Sequence, residues 1–148
     1  MLFRSYVPSR GQIIVFANGE PDGPLTCSVQ DDTTNQYIIK RVIAFPGERV
    51  TVKDGVMKVY NDEHPDGFVD DDEWRGETKD GEAQEGPKLK SSGEVDLTVP
   101  EGEVFVSGDN RVGEHSKDSR NGLGTIPYCR IIGPVALRIF PFNQIKVF

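Results

Sequence analysis

Apolar and polar residues alternate along this chain in short bursts, separated by clusters of Gly, Pro and Asp. Seven stretches carry the period-2 pattern or the Val, Ile and Phe enrichment of a strand: Gln12–Phe16, Tyr37–Ile43, Arg49–Val52, Val56–Tyr60, Glu103–Val106, Ile131–Ile139 and Ile145–Phe148. Between the third and fourth, Lys53-Asp54-Gly55 predicts a tight hairpin, because Asp-Gly supplies the positive φ angles of a primed turn. No stretch sustains an apolar stripe of period 3.6 long enough to make a helix. The pattern predicts a mainly β chain of antiparallel hairpins.

Two stretches break that pattern. Residues 17–35 contain Asn-Gly, Pro-Asp-Gly-Pro and Asp-Asp-Thr-Thr, which reads as a polar loop between two strands. Residues 61–97 read as an acidic surface excursion with no catalytic role. Of the 24 acidic and 17 basic side chains, 13 and 4 respectively fall in 61–96, so the net charge of −7 belongs to this one region. The rest of the chain is close to neutral. The run Asp70-Asp71-Asp72-Glu73 lacks the D-x-(D/N)-x-(D/N)-G spacing and closing Glu of a calcium loop, so no metal is assigned to it.

A length of 148 residues is that of one domain. The acidic balance argues against nucleic acid as a partner, since phosphate binding needs clustered Lys and Arg. Two histidines, His64 and His115, and two distant cysteines cannot make a metal-ligand spacing, and no cofactor is expected. Cys27 and Cys129 are either a disulfide in an oxidising compartment or two buried thiols. No apolar run approaches the roughly 18–20 residues of a membrane span, and no signal-peptide pattern opens the chain. As it stands, the chain reads as soluble.

Two segments carry candidate chemistry. In Tyr37–Ile43 a strand places Ile38, Lys40 and Val42 on one face and Tyr37, Ile39, Arg41 and Ile43 on the other. A lysine between two apolar neighbours on its own face is partly desolvated, which lowers its pKa and favours the neutral amine, a competent base. Taken alone, the segment is better read the other way, as a lysine that snorkels from a strand end to water. The second segment runs from Ser107-Gly108-Asp109-Asn110-Arg111 to Ser116-Lys117-Asp118-Ser119-Arg120 and on to Pro127, a turn-rich loop. Asp118 and Arg120 stand two residues apart, on one side of an extended chain, and are placed to pair.

Together these segments resemble the type I signal peptidases, membrane-anchored serine endopeptidases that use a Ser–Lys dyad. Pro8-Ser9-Arg10-Gly11-Gln12-Ile13-Ile14-Val15-Phe16 is similar to the family strand P-x-R-G-D-I-V-V-F, with Gln12 in place of Asp. Lys40-Arg41-Val42-Ile43-Ala44-Phe45-Pro46-Gly47-Glu48 is similar to K-R-V-x-G-x-P-G-(D/E), with Ala44 in place of Gly. Gly108-Asp109-Asn110-Arg111, with Ser116, Asp118, Ser119 and Arg120, matches G-D-N-R…S-x-D-S-R. The resemblance runs from about Pro8 to Ile131-Ile132-Gly133, and 61–97 falls where the family inserts variable material.

The resemblance implies a fold, an activity and roles. The fold is an antiparallel sheet or partly open barrel of the type shared with LexA. The activity is removal of signal peptides from exported pre-proteins, on the extracytoplasmic side of the plasma membrane. Lys40 corresponds to the general base and Ser116 to the serine that orients it. Asp118 and Arg120 correspond to a supporting ion pair, and Gly108 and Asn110 to turn formers. Ile38 and Ile39 correspond to residues lining shallow apolar pockets for the small side chains of an A-x-A site.

The family nucleophile sits in an S-M-x-P-(S/T) box upstream of the R-G-D strand, after a membrane anchor. Here Pro8–Phe16 already matches that strand, so nucleophile and anchor are expected to lie outside this chain. Ser5-Tyr6-Val7-Pro8-Ser9 imitates the box, which keeps Ser5 as the alternative nucleophile within the chain. Two other readings compete. One is a catalytically inactive homologue that binds peptides or assists surface assembly. The other is a LexA-type self-cleaving repressor, disfavoured by the acidic charge and the absence of DNA-binding helices.

Overall fold

The computed structural model describes residues 6–18, 37–69, 91–111, 115–135, 137–138 and 146–147. They form a mainly β structure, with one 3₁₀ turn at Tyr128–Arg130 as the only helical element among the described residues. Strands β1 (Ile13–Ala17), β2 (Tyr37–Ala44), β3 (Arg49–Lys53) and β4 (Val56–Tyr60) match the apolar alternation closely. In β3 and β4 every second residue is buried, which is what a sheet with one wet face requires. Their connection is the expected two-residue turn: Lys53 pairs with Val56, and Asp54 and Gly55 have φ of 53° and 84°.

Short strands complete the set: β5 (Phe68–Val69), β6 (Val95–Thr98), β7 (Glu103–Ser107), β8 (Ile126–Pro127), β9 (Ile131–Pro134), β10 (Leu137–Arg138) and β11 (Lys146–Val147). The first sheet has five strands in the order β8-β7-β2-β1-β9, and the second has four in the order β5-β4-β3-β6. Strands β10 and β11 form a separate two-stranded ribbon. All pairings are antiparallel, and no barrel closes among the described residues.

Each sheet has its own apolar core. Ile14, Phe16, Val42, Val104, Val106, Ile126 and Ile131 pack under the five-stranded sheet. Val50, Val52, Met57, Val59 and Val99 pack under the four-stranded sheet, together with Ile43, Ala44 and Phe105. Strands β2 and β7 therefore form the wall between the cores, sending Val42, Val104 and Val106 one way and Ile43, Ala44 and Phe105 the other. That explains why residues 41–44 are all buried, where simple alternation would expose two of them. A register shift between Val42 and Ala44 lets β2 serve both cores. Ala44, where the family pattern has Gly, fits because its methyl group is fully buried in the second core.

The structure departs from the sequence reading at β5 and β6, at β8 and over 131–139. Strand β5 lies inside 61–97 and β6 begins there, so the ends of that stretch are rungs of the second sheet and not an excursion. Two-residue strands such as β5 and β8 are too short to show a period. The single strand expected over 131–139 is two, β9 and β10, with different partners. It ends at Pro134, which has no N–H to donate to the ladder. The loop expected at 17–35 lies almost wholly outside the described residues, as does the Asp70–Glu73 run.

Candidate active site

The first half of β2 leaves the protein interior and carries Lys40. The alternation places its side chain on the face of Ile38 and Val42, directly across from Ile14. The amine is half-buried, and its pKa lies below the ordinary 10.5. Desolvation is the main cause; the charges of Asp118 and Asp109 oppose it and that of Arg120 assists it. A lysine in that position holds its neutral form at lower pH than an exposed one.

Opposite β2, the chain leaves β7 through Ser107 and Gly108 and returns through the 115–123 turn. That turn is pinned residue by residue. Ser119 N–H donates to Val106 O at 3.1 Å, and Val106 N–H donates to Ser119 Oγ at 2.9 Å, so the turn mimics a strand beside β7. Asn121 Nδ2 donates to Ser116 O at 2.9 Å.

Asp118 is the centre of the turn. Its carboxylate accepts from Gly108 N–H at 2.8 Å, from Arg120 N–H at 3.0 Å and from the Arg120 guanidinium at 2.7 and 3.1 Å. Both side chains of the pair are fully buried. Burial alone would raise the Asp118 pKa; these donors outweigh it and hold the group below its ordinary 3.8. Arg120 also donates to the carbonyls of Arg111 and Asn110, at 2.9 and 3.3 Å, which ties the turn to the G-D-N-R segment.

Ser116 differs from its neighbours. Its Oγ is buried and has no hydrogen-bond partner within ordinary distance among the described residues, although it stands near enough to Asp118 to help keep that carboxylate charged. An unpaired buried hydroxyl is costly, on the order of 1–3 kcal/mol. Gly108 is what brings it there: a Cβ at Gly108 would lie 2.0 Å from Ser116 Oγ and 2.8 Å from Ser116 Cβ. A larger side chain at this position must displace Ser116.

Lys40 and Ser116 face one cavity of about 300 Å³, which Ile39, Gly108, Asp109 and the exposed His115 also line. A larger cleft, about 690 Å³, opens over the outer face of the second sheet among Arg49, Thr51, Lys58, Tyr60 and Asp96. Its ion pair Arg49–Asp96 is exposed, and it contains no buried titratable group, so the smaller cavity is the one suited to chemistry.

Three further side chains, named in the family boxes but given no role there, tie together the segments around this cavity. Arg41 is buried and donates twice to Asp109, at 2.8 and 2.7 Å, and once to Gly11 O at 2.6 Å. Arg111 is buried, with its Nε donating to Gly108 O at 2.9 Å. Gln12, where the family pattern has Asp, still acts as an acceptor: its Oε1 takes hydrogen bonds from Tyr6 Oη and from Ser9 N–H. Arg41 and Asp109 are 68 residues apart, and no local pattern could have joined them.

The family model described as "Signal peptidase, peptidase S26" matches residues 4–140. The chain belongs to the signal peptidase family. It is 37% identical over 119 residues to "Signal peptidase I" of Bacillus licheniformis, covering 80% of this chain and 59% of that protein. It is 34% identical over 142 residues to "Probable signal peptidase I-1" of Synechocystis sp., covering 96% of this chain and 60% of that one. The chain thus spans a little under two thirds of the length of these signal peptidases. A crystal structure of a signal peptidase I from Enterococcus faecalis superposes with a TM-score of 0.56 at 24% identity, covering 88% of this chain and 97% of that one, which shows a shared fold.

Of the residues singled out from sequence, Ile38, Ile39, Lys40, Ser116, Asp118 and Arg120 all lie at or beside the cavity. Ser5 lies outside the described residues. Cys129 is disulfide-bonded, and Cys27, the other cysteine, also lies outside them. Among the described residues no helix is long and apolar enough to cross a membrane.

Proposed function

We propose that this chain is the peptidase domain of a signal peptidase I and removes signal peptides from exported pre-proteins at the membrane, on its extracytoplasmic side. In this reading residues 1–148 form the catalytic domain, with variable acidic material between β5 and β6. One observation carries the proposal: the Lys40 amine, half-buried with a lowered pKa, opens onto the same cavity as the buried Ser116 hydroxyl, which has no partner among the described residues.

Lys40 is the general base. Its neutral amine takes the proton of a serine hydroxyl supplied from outside the described residues, and the resulting oxygen nucleophile attacks the scissile carbonyl. The protonated amine then gives the proton to the departing amine of the peptide, and the neutral amine left behind deprotonates a water that hydrolyses the acyl-serine ester, releasing the carboxylate product and the free serine. In the reacting enzyme the lysine amine turns to donate to Ser116 Oγ, which faces the same cavity, and is aimed by it. The Asp118–Arg120 pair holds the turn that carries Ser116.

Substrate binding follows from the sheet. Strand β7 pairs with β2 only from Arg41 onward, so residues 37–40 have β1 on one side and no strand on the other among the described residues. Val42 N–H donates to Gln12 O and Val42 O accepts from Gly11 N–H, both on the β1 side. By antiparallel alternation the N–H and C=O groups of Tyr37 and Ile39 point to the open side. An extended peptide adds there as a strand, and Ile38 and Ile39 line the pockets for its small side chains.

The test uses the full-length protein and a pre-protein with an Ala-x-Ala site. Specific cleavage is expected, falling by about 10²–10⁴-fold in Lys40→Ala and by less in Ser116→Ala. Because a protonated Lys40 is not a base, activity falls as pH drops through its lowered pKa. Undiminished cleavage by Lys40→Ala overturns the proposal. Loss of cleavage in Ser5→Ala identifies Ser5 as the nucleophile; retention places that hydroxyl elsewhere.

A further inference from the structure

The register of β2 decides where Lys40 points. Successive side chains of a strand face opposite ways, so a slip by one residue would turn Lys40 to the face now held by Arg41. The structure contains a place where such a slip is prevented. At the shift between Val42 and Ala44 the ladder to β7 skips Ile43, which leaves its carbonyl without a partner strand. Arg10 fills the gap: its Nη1 donates to Ile43 O at 2.5 Å.

Arg10 is itself held from several sides. Its Nη2 donates to Glu48 Oε1 at 2.5 Å, and its guanidinium lies 4.9 Å from the centre of the Phe45 ring and 5.3 Å from that of Phe68. Glu48 in turn accepts from Phe45 N–H and from Asn61 Nδ2, each at 2.8 Å. The turn before β1, the β2–β3 turn, the end of β4 and the start of β5 thus converge on one carbonyl, three residues from Lys40. A planar fork satisfies carbonyl and carboxylate together while stacking on aromatic faces, which a lysine cannot do.

We infer that Arg10 and Glu48 are a positioning pair, pinning the β2 bulge and through it the face on which the Lys40 amine is presented to the cavity. The inference rests on the reading of Lys40 as the base. It assigns a role to Phe68 as well, and so ties the start of the acidic stretch to the site.

The test reads Lys40 directly, with no need for turnover. Competitive acetylation across pH, followed residue by residue by mass spectrometry, gives the midpoint of Lys40, with a free blocked lysine in the same tube as reference. In the wild type, Lys40 should titrate below 10.5. Glu48→Gln is nearly isosteric and Arg10→Lys keeps a long cationic side chain, and circular dichroism checks that both stay folded. In both, the Lys40 midpoint should move up toward that of the free lysine by about 0.5 pH unit or more, as the amine gains water. Asp109, Asp118, Arg120, Arg41 and His115, the charged or titratable groups around the amine, are unchanged in either variant. A lowered wild-type midpoint that stays put in both variants overturns the positioning role alone. A wild-type midpoint no lower than that of the free lysine overturns the reading of Lys40 as base. Rescue should grade with the fork: Arg10→Lys keeps a charge toward Glu48 and should shift Lys40 less than Arg10→Met.

Discussion

Among the described residues three arginine–aspartate pairs share a closest approach of 2.7 Å and a two-pronged geometry, and two of them stand at opposite extremes of burial. Arg120 and Asp118, in the turn beside the five-stranded sheet, are fully buried. Arg49 and Asp96, on the outer face of the four-stranded sheet, are more than half exposed. In both, the carboxylate pKa is lowered. Only the first pair has nowhere else to go. Water competes for Arg49 and Asp96 at little cost, whereas losing either buried partner strands a charge in a medium that cannot solvate it. The contrast extends to the sheets that bear them. The four-stranded sheet is an apolar core with a wet outer face. Beside the five-stranded sheet polar groups are buried in number: Arg41, Arg111, Ser116, Asp118, Ser119 and Arg120. A scaffold that only had to fold would not need them.

The sharpest way to break this comparison is to remove one partner from each pair. Asp118→Asn leaves Arg120 buried beside a neutral amide, and denaturant unfolding should show a loss of about 3–5 kcal/mol. Asp96→Asn should leave the unfolding midpoint where it was. Equal losses would mean that burial is not what separates the two.

Gly108→Ala comes next. The added methyl must displace Ser116 or its turn, with an expected loss of about 1–3 kcal/mol. Its effect on cleavage should exceed its effect on folding, because Ser116 is the group displaced. A variant that keeps full activity would show that the position of Ser116 is immaterial.

Smaller effects come from pH. The folded-state pKa values of Asp118 and Glu48 lie below their ordinary 3.8 and 4.5. At Glu48 the burial that would raise the pKa is outweighed by the donors Arg10, Asn61 and Phe45 N–H. The stability these carboxylates contribute is therefore complete above pH 4.5 and is lost as pH falls through the lower folded values. Lys40 has the opposite sign. Its folded pKa lies below 10.5, so the folded state binds fewer protons there and stability rises as pH climbs toward that value. Lys40→Met should therefore stabilise the protein slightly at pH 7, and the gain should vanish near pH 10.5. A variant less stable than wild type at pH 7 would show that Lys40 is not strained by its surroundings. Finally, removal of residues 70–90 should spare activity, provided that Phe68 is kept to stack on Arg10.

What was legible from sequence was local. The β3–β4 hairpin follows from alternation and Asp54-Gly55, since both act within a few residues. At Lys40 the local pattern, with Ile38 and Val42 on its own face, left a snorkelling lysine as the better reading; the resemblance singled it out as a base, and in the fold the amine is half-buried. The pairing of Asp118 with Arg120 could be read for the same reason, a separation of two. Arg41 with Asp109 and Arg10 with Glu48 could not, because 68 and 38 residues separate the partners. Strand β6 was hidden by the charge around it: Val95 and Leu97 pack on the second core while Asp96 faces out to Arg49.

By itself, then, the order of residues determined the longer strands and the primed turn, short-range properties fixed by backbone sterics and by the period of apolar side chains. The motifs it spells out carried the resemblance to a family and, through it, the short list of side chains with chemical potential. Only the folded chain decided which of them meet. A bulge at Ile43 sends neighbouring side chains into two different cores, and a glycine lets a serine come close enough to be buried beside Asp118. Such contacts are made between distant segments at atomic range, where a shift of one residue or one methyl group changes the outcome.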